Sequence, residues 1–146
     1  MIPKSIVRAL NGKEILVFGD GRQTRDFTYV ADTAAALVDA AEADELVGRT
    51  ANVGSGTETA IGALAEMIRE AVGNPGAQVT ITPPRPGDVD RLMADNSAFS
   101  RCCGWRPKTG FADGLARTVA YFRNHPKGIE ALLAEEQGRN WGGGVR

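Results

Sequence analysis

Mixed α/β structure in one small domain is the fold class this sequence predicts, and three observations carry it. The chain has 146 residues, enough to bury a real core and few enough for a single compact unit. Apolar residues recur at helical spacing in some stretches and as short runs closed by Gly or Pro in others. The order of these stretches is irregular, without the strict strand–helix alternation of a complete doubly wound sheet.

Residues 3–11 (PKSIVRALN) predict a short helix, with Pro3 in its first turn, Ile6, Val7 and Leu10 on one side and Gly12 as its stop. The apolar run 14–18 (EILVF) lies between glycines and predicts a strand that ends in the Gly19-Asp20-Gly21 turn. A brief extended piece is expected at 28–30, with Asp32 capping an alanine-rich helix through Ala43. Residues 50–53 read as a strand entering Gly54-Ser55-Gly56. Thr59 is then the expected cap of a helix carrying Ile61, Leu64, Ala65, Ile68 and Val72, closed by Gly73. Residues 79–82 alternate like a strand and stop at Pro83-Pro84. Asp95 is the expected cap of a short helix bearing Phe99 and Cys102 and ending at Gly104. Thr109 opens another, with Leu115, Val119 and Phe122 in register, ending before Pro126. A polar helix over 127–137 and a frayed glycine-rich tail complete the chain.

Composition narrows function by exclusion. Apolar residues make up 42% and charged residues 24%, with 17 basic and 18 acidic side chains and a net charge of −1. No long block of like charge exists, so neither nucleic acid nor a membrane surface is an expected partner. No apolar run approaches the roughly 18 residues of a membrane span or the length of a signal peptide, and the cytoplasm is the expected location. Cys102 and Cys103 are adjacent and read as packing residues in a reducing compartment. With one histidine, His125, and no Cys-x-x-Cys spacing, no metal site is expected.

No self-sufficient active site is visible. A serine–histidine–acid triad would rest on His125, without the Gly-x-Ser-x-Gly elbow; a Walker phosphate loop is absent. The junction ANVGSGTETAIGALAEMI (51–68) holds a Gly-x-Gly without the third glycine of a dinucleotide fingerprint, and a tight strand-to-helix turn explains it. The arginines say more. Guanidinium grips two phosphate oxygens at once and stays charged at all working pH. Arg22 and Arg25 follow the turn at Gly19 and Gly21, whose backbone suits a phosphate. In PPRPGDVDR (83–91) Arg85 stands between prolines, and the Gly87-Asp88 turn presents a carboxylate three residues on. Arg for phosphate and Asp for vicinal sugar hydroxyls make a pair suited to a nucleotide, although a lone arginine is more often a solvated surface charge.

Four strings, GDGRQTRDFTYVAD, NVGSGTETAIGALAEMI, PRPGDVDRLMADNSA and GWRPKTGFADGLARTVAYF, occur in this order. Together they resemble the C-terminal portion of the extended short-chain dehydrogenase/reductases, the family of NAD-dependent nucleotide-sugar epimerases and dehydratases. The resemblance runs from about residue 2 to about residue 123. It implies a parent enzyme whose N-terminal Rossmann half holds NAD on a glycine-rich loop and carries a Tyr-x-x-x-Lys pair. There the tyrosine is the general acid/base while NAD accepts and returns a hydride. Residues 1–125 would be the nucleotide-sugar-binding portion, and 126–146 a C-terminal helix and tail. By resemblance Arg25 and Arg85 reach the diphosphate of a UDP- or dTDP-linked sugar, Asp88 bonds the ribose, and Leu16, Val17 and Phe18 lie beside the base. Asn52 and Asp32 match family positions too and are read as structural.

The departures are as informative. The fourth residue after Tyr29 is Thr33 and after Tyr121 is His125, so neither tyrosine has its lysine, and the NAD loop is missing. The expectation is a fragment or truncated reading frame that lacks the dinucleotide-binding half, holds no catalytic residue, binds no NAD by itself and is inactive alone. The 32–43 helix and the 50–53 strand, which in the family pack on the Rossmann sheet, would then expose apolar faces, and homo-oligomerisation is expected to cover them. Two alternatives stand beside this reading: a free-standing nucleotide-diphosphate-binding module, and a non-catalytic oligomeric remnant.

Overall fold

The computed structural model describes residues 1–138; the expected glycine-rich tail lies outside them. In chain order the elements are α1 (Ile2–Leu10), β1 (Ile15–Phe18), β2 (Thr24–Asp26), α2 (Val30–Glu42), a 3₁₀ turn (Asp44–Leu46), β3 (Glu58–Ala60), α3 (Ile61–Val72), β4 (Val79–Thr82), β5 (Arg91–Leu92), α4 (Ser97–Cys103), α5 (Phe111–Arg123) and α6 (Ile129–Gly138). Strands β1 and β4 form a parallel pair, Ile15 opposite Val79 through Phe18 opposite Thr82. The other three form a small mixed sheet with β2 in the middle, antiparallel to β3 and parallel to β5. No helix among the described residues is long and apolar enough to cross a membrane.

Helical periodicity built the main core as expected. Ile6 and Ala9 of α1, Leu64, Ala65 and Ile68 of α3, and Leu115 and Val119 of α5 meet Ile15 and Val17 of β1. Strand alternation puts Ile15 and Val17 inside and leaves Leu16 and Phe18 half-buried. A second cluster joins Ala36 of α2 to Phe99 and Trp105, whose rings pack edge to face at 5.8 Å.

Four local expectations are corrected. The extended piece lies at Thr24–Asp26, where β3 and β5 flank it, and by Val30 the chain is already helical. Residues 50–53 form no strand: an extended segment becomes one only beside a partner's free edge, and here Val53 packs on the second cluster instead. Thr59 does not cap α3 but sits in β3 opposite Arg25. The first amides of α3 are satisfied by the loop after β1, with Ile61 donating to the Gln23 carbonyl (2.9 Å) and Gly62 to that of Gly21 (2.8 Å). That contact explains Gly21, which has φ +77° and where a Cβ would stand 3.1 Å from the Gly62 Cα.

The fourth correction concerns Asp32. It lies inside the first turn of α2, 6% exposed, and its Oδ2 accepts from the Thr109 amide at 2.9 Å, tying α2 to the approach of α5. Burial pushes this carboxyl up, but bonds from the Thr109 and Lys108 amides and the Thr109 hydroxyl outweigh it and lower the pKa overall. Asp32→Ala leaves the half-buried Thr109 amide without its acceptor. Urea unfolding is expected to show a loss of about 1–3 kcal/mol; an unchanged midpoint would mean the bond contributes nothing.

Candidate functional site

A cleft of about 930 Å³ opens at the carboxyl ends of the parallel strands β1 and β4, the place where open α/β folds collect ligands. Phe18 ends β1, residues 19–24 form one wall and residues 81–91 the other, bringing Arg22, Arg85, Asp88 and Arg91 to its lining. The Arg85 guanidinium lies over the Phe18 ring, 3.6 Å from its centroid. This stack fixes a planar cation on a planar apolar surface.

The predicted site residues are placed unequally. Phe18, Arg85 and Asp88 line the cleft. Arg25 stands at its border on β2, reaching the 83–91 wall: Nη1 donates to the carbonyls of Val89 (2.8 Å) and Thr24 (2.6 Å), and Nη2 pairs with the Asp88 carboxylate. Arg85 lines the cleft and Arg25 does not, and the two residues read from sequence as separate ligand groups, Arg25 and Asp88, hold each other. Val17 is fully buried in the core and Leu16 is half-buried; of that strand only Phe18 faces the cleft. The amides expected to cradle phosphate are partly used, since Gly19 donates to the Thr82 carbonyl at 2.9 Å.

Sequence reading missed Asp26 and Glu58. Asp26 accepts from the Ser55 amide (2.9 Å) and hydroxyl (2.5 Å), the Gly56 amide (3.0 Å) and the Ala94 amide (3.3 Å). Burial raises its pKa and these four donors bring it below the ordinary value. At Gly54 a Cβ would lie 2.4 Å from the Ala94 Cβ and 2.7 Å from Asp26 Oδ2, so only glycine lets the turn close there. An aspartate inside a strand, a type disfavoured there, was the available signal. On the mixed sheet Glu58 receives both forks of Arg91 (3.0 and 2.5 Å) and the Thr24 hydroxyl (2.5 Å), which joins β3, β5 and β2.

Whether these residues suit a dinucleotide is answered by the glycine turns. The Ser55 and Gly56 amides are already bound to a carboxylate, the wrong sign of neighbour for a pyrophosphate. Among the described residues, that turn therefore offers neither of these two amides to a pyrophosphate. No group of three or more His, Cys, Asp and Glu side chains among them is placed to hold a metal ion.

Residues 1–118 match the family model described as GDP-mannose 4,6 dehydratase. The chain belongs to this family, the NAD-dependent nucleotide-sugar epimerases and dehydratases of the extended short-chain dehydrogenase/reductases. It is 40% identical over 115 residues to a UDP-glucose 4-epimerase of Mycolicibacterium smegmatis, covering 79% of this chain and 36% of the relative. With a dTDP-glucose 4,6-dehydratase of Actinoplanes sp. identity is 36% over 123 residues, 84% of this chain and 38% of that protein. Among solved structures, Thermotoga maritima UDP-glucose 4-epimerase with UDP-glucose superposes with a TM-score of 0.76 at 34% identity, covering 84% of this chain and 38% of that one. Thermus thermophilus UDP-glucose 4-epimerase in complex with NAD gives 0.76 at 32%, covering 85% and 40%. The chain thus spans well under half the length of the relatives it matches.

The Glu58 contacts carry a pH signature. Bonds from Arg91 first, then Thr24, lower this carboxyl to about 2, against an ordinary value of 4.5. A depressed acid stabilises the fold above its unfolded value and loses that contribution as pH falls through the folded one. Acid titration followed by circular dichroism is expected to show the mixed sheet loosening between about pH 4.5 and 2, with Glu58→Gln removing that part of the transition. Identical acid profiles for the two proteins would contradict it.

Proposed function

We propose that this chain is the nucleotide-diphosphate-sugar-binding portion of an NAD-dependent nucleotide-sugar epimerase or dehydratase, and that alone it does not turn over substrate. The observation that supports this reading is the cleft itself, lined by Arg85, which stacks on Phe18, and by Asp88, which Arg25 holds from β2. The diphosphate is assigned to Arg85 and Arg25, the ribose to Asp88, and the base to the Phe18 end of β1, with Leu16 and Val17 setting that strand. Membership of the family and the UDP-glucose on the Thermotoga maritima structure support it. NAD belongs to the parent enzyme. Neither Tyr29 nor Tyr121 has a lysine four residues on, so no residue here is assigned to proton transfer.

Titration of the chain with UDP, followed by NMR, is expected to show weak binding, roughly millimolar. Arg85→Ala is expected to weaken it by about tenfold, the scale of a charge-assisted bond. With NAD and UDP- or dTDP-sugars no turnover is expected. Turnover would overturn the assignment of inactivity, and tight micromolar binding would favour a free-standing module.

Helix α2 supplies the partner half of the proposal. Its inward positions are Asp32 and Ala36, while Val30, Leu37 and Val38 are 72%, 69% and 58% exposed. Such a face is expected to pack on a dinucleotide-binding half or, in the isolated chain, on another copy. Sedimentation of the chain at high concentration is expected to show a self-associated species, and a well-folded monomer would count against it.

A further inference from the structure

Asp88 occupies the guanidinium that a diphosphate would need. Arg25 is 20% exposed and Asp88 36%, so the carboxylate is the outer member of their ion pair. Arg25 Nη1 is already committed to the Val89 and Thr24 carbonyls, and the nitrogen open to exchange, Nη2, is the one that Asp88 holds. An approaching phosphate therefore meets a negative charge before it meets Arg25. The same turn carries Arg85, since the Asp88 amide donates to the Arg85 carbonyl at 3.3 Å, and nothing lies within 4 Å of the Cβ direction of the intervening Gly87, at φ +78°. Arg85 and the carboxylate that blocks Arg25 thus share one exposed turn through Gly87.

We propose that Asp88 is a selectivity residue of this cleft: it withholds Arg25 from simple phosphates and releases it only to a ligand that also offers hydroxyl donors to the freed carboxylate. This rests on the nucleotide-diphosphate reading of the cleft and deepens it. A bare pyrophosphate must break the Asp88–Arg25 bond and then sit beside an uncompensated carboxylate, a like-charge contact. A nucleoside diphosphate breaks the same bond, but its ribose hydroxyls, as donors, satisfy the carboxylate that moves away. Binding is an exchange of partners, and a ligand with two vicinal hydroxyls completes it better than one with a single hydroxyl.

The test is a double-mutant cycle on the full chain, read by NMR titration with inorganic pyrophosphate, UDP and 2′-deoxy-UDP. Asp88→Asn is expected to tighten pyrophosphate about tenfold and to narrow the preferences of the wild-type chain for UDP over pyrophosphate and over 2′-deoxy-UDP. Asp88→Ala should repeat this, since it cannot keep a side-chain bond to Arg25. On an Arg25→Ala background Asp88→Asn is expected to change pyrophosphate binding by less than about twofold. Equal tightening with and without Arg25 would mean that Asp88 acts through its general field, and overturns the exchange. No tightening at all, or equal wild-type affinities for UDP and 2′-deoxy-UDP, also overturns it while UDP binding itself stands. Absence of any UDP response in the wild-type chain overturns the nucleotide-diphosphate reading, and the exchange with it.

Discussion

Adjacent residues on a strand face opposite ways, and in β2 that rule falls on the dipeptide Arg25-Asp26. Arg25 reaches the 83–91 wall of the cleft; Asp26 gathers the Ser55 and Gly56 amides and the Ala94 amide beyond β5. A strand of three residues thereby positions three loops that are 29 to 68 residues distant in sequence. Because the side-chain period is two, a one-residue slip would send Arg25 toward the glycine turn and Asp26 toward the cleft wall. A cation at the 54–56 amides and a carboxylate in place of the guanidinium would both be wrong in sign, so the register is specified electrostatically as well as by burial.

The same constraint separates what the amino-acid pattern made legible from what it hid. The long helices α3 and α5 were readable because Ile61, Leu64, Ala65 and Ile68, and Leu115 and Val119, repeat at a period that only a helix satisfies, and those residues form the core. The strands of two or three residues, β2, β3 and β5, offer no such redundancy. Thr24–Asp26 is a strand because β3 and β5 lie beside it, and 50–53 is none because no edge does. Asp32 shows the same limit in a side chain: helix-cap chemistry was visible in its type and position, but the amide it binds belongs to Thr109, 77 residues on.

For the cleft, residue type was legible and pairing was not. Framing by proline and glycine marked Arg85 and Asp88 as stiffly presented groups, and both reach the lining. That Asp88 would face Arg25 across 63 residues, or that Arg85 would lie over Phe18, has no local signature. Both contacts neutralise or shield a cation that sequence alone presents as free. Counting arginines thus overstates the positive potential of such a site, and its anion affinity depends on what each guanidinium must give up first.

Helix α2 makes the complementary point about stability. Ordinary amphipathic helices bury their aliphatic side chains, whereas this one turns a carboxylate and Ala36 inward and leaves Val30, Leu37 and Val38 outside. The inward carboxylate is satisfied by the approach to α5, so reversing the helix to hide its valines would strand a buried charge. Burial contributes about 25 cal/mol per Å², so a few hundred Å² of uncovered apolar surface amounts to several kcal/mol, comparable to the whole stability of a small domain. The chain therefore holds α2 in place by a polar anchor on one side while Val30, Leu37 and Val38 stay exposed on the other. The arginines to which the diphosphate is assigned by proposal sit on the β2 and 83–91 segments rather than on α2. Contacts internal to this chain, from Arg25 to Asp88 and Val89, hold the 83–91 wall, and α2 takes no part in them.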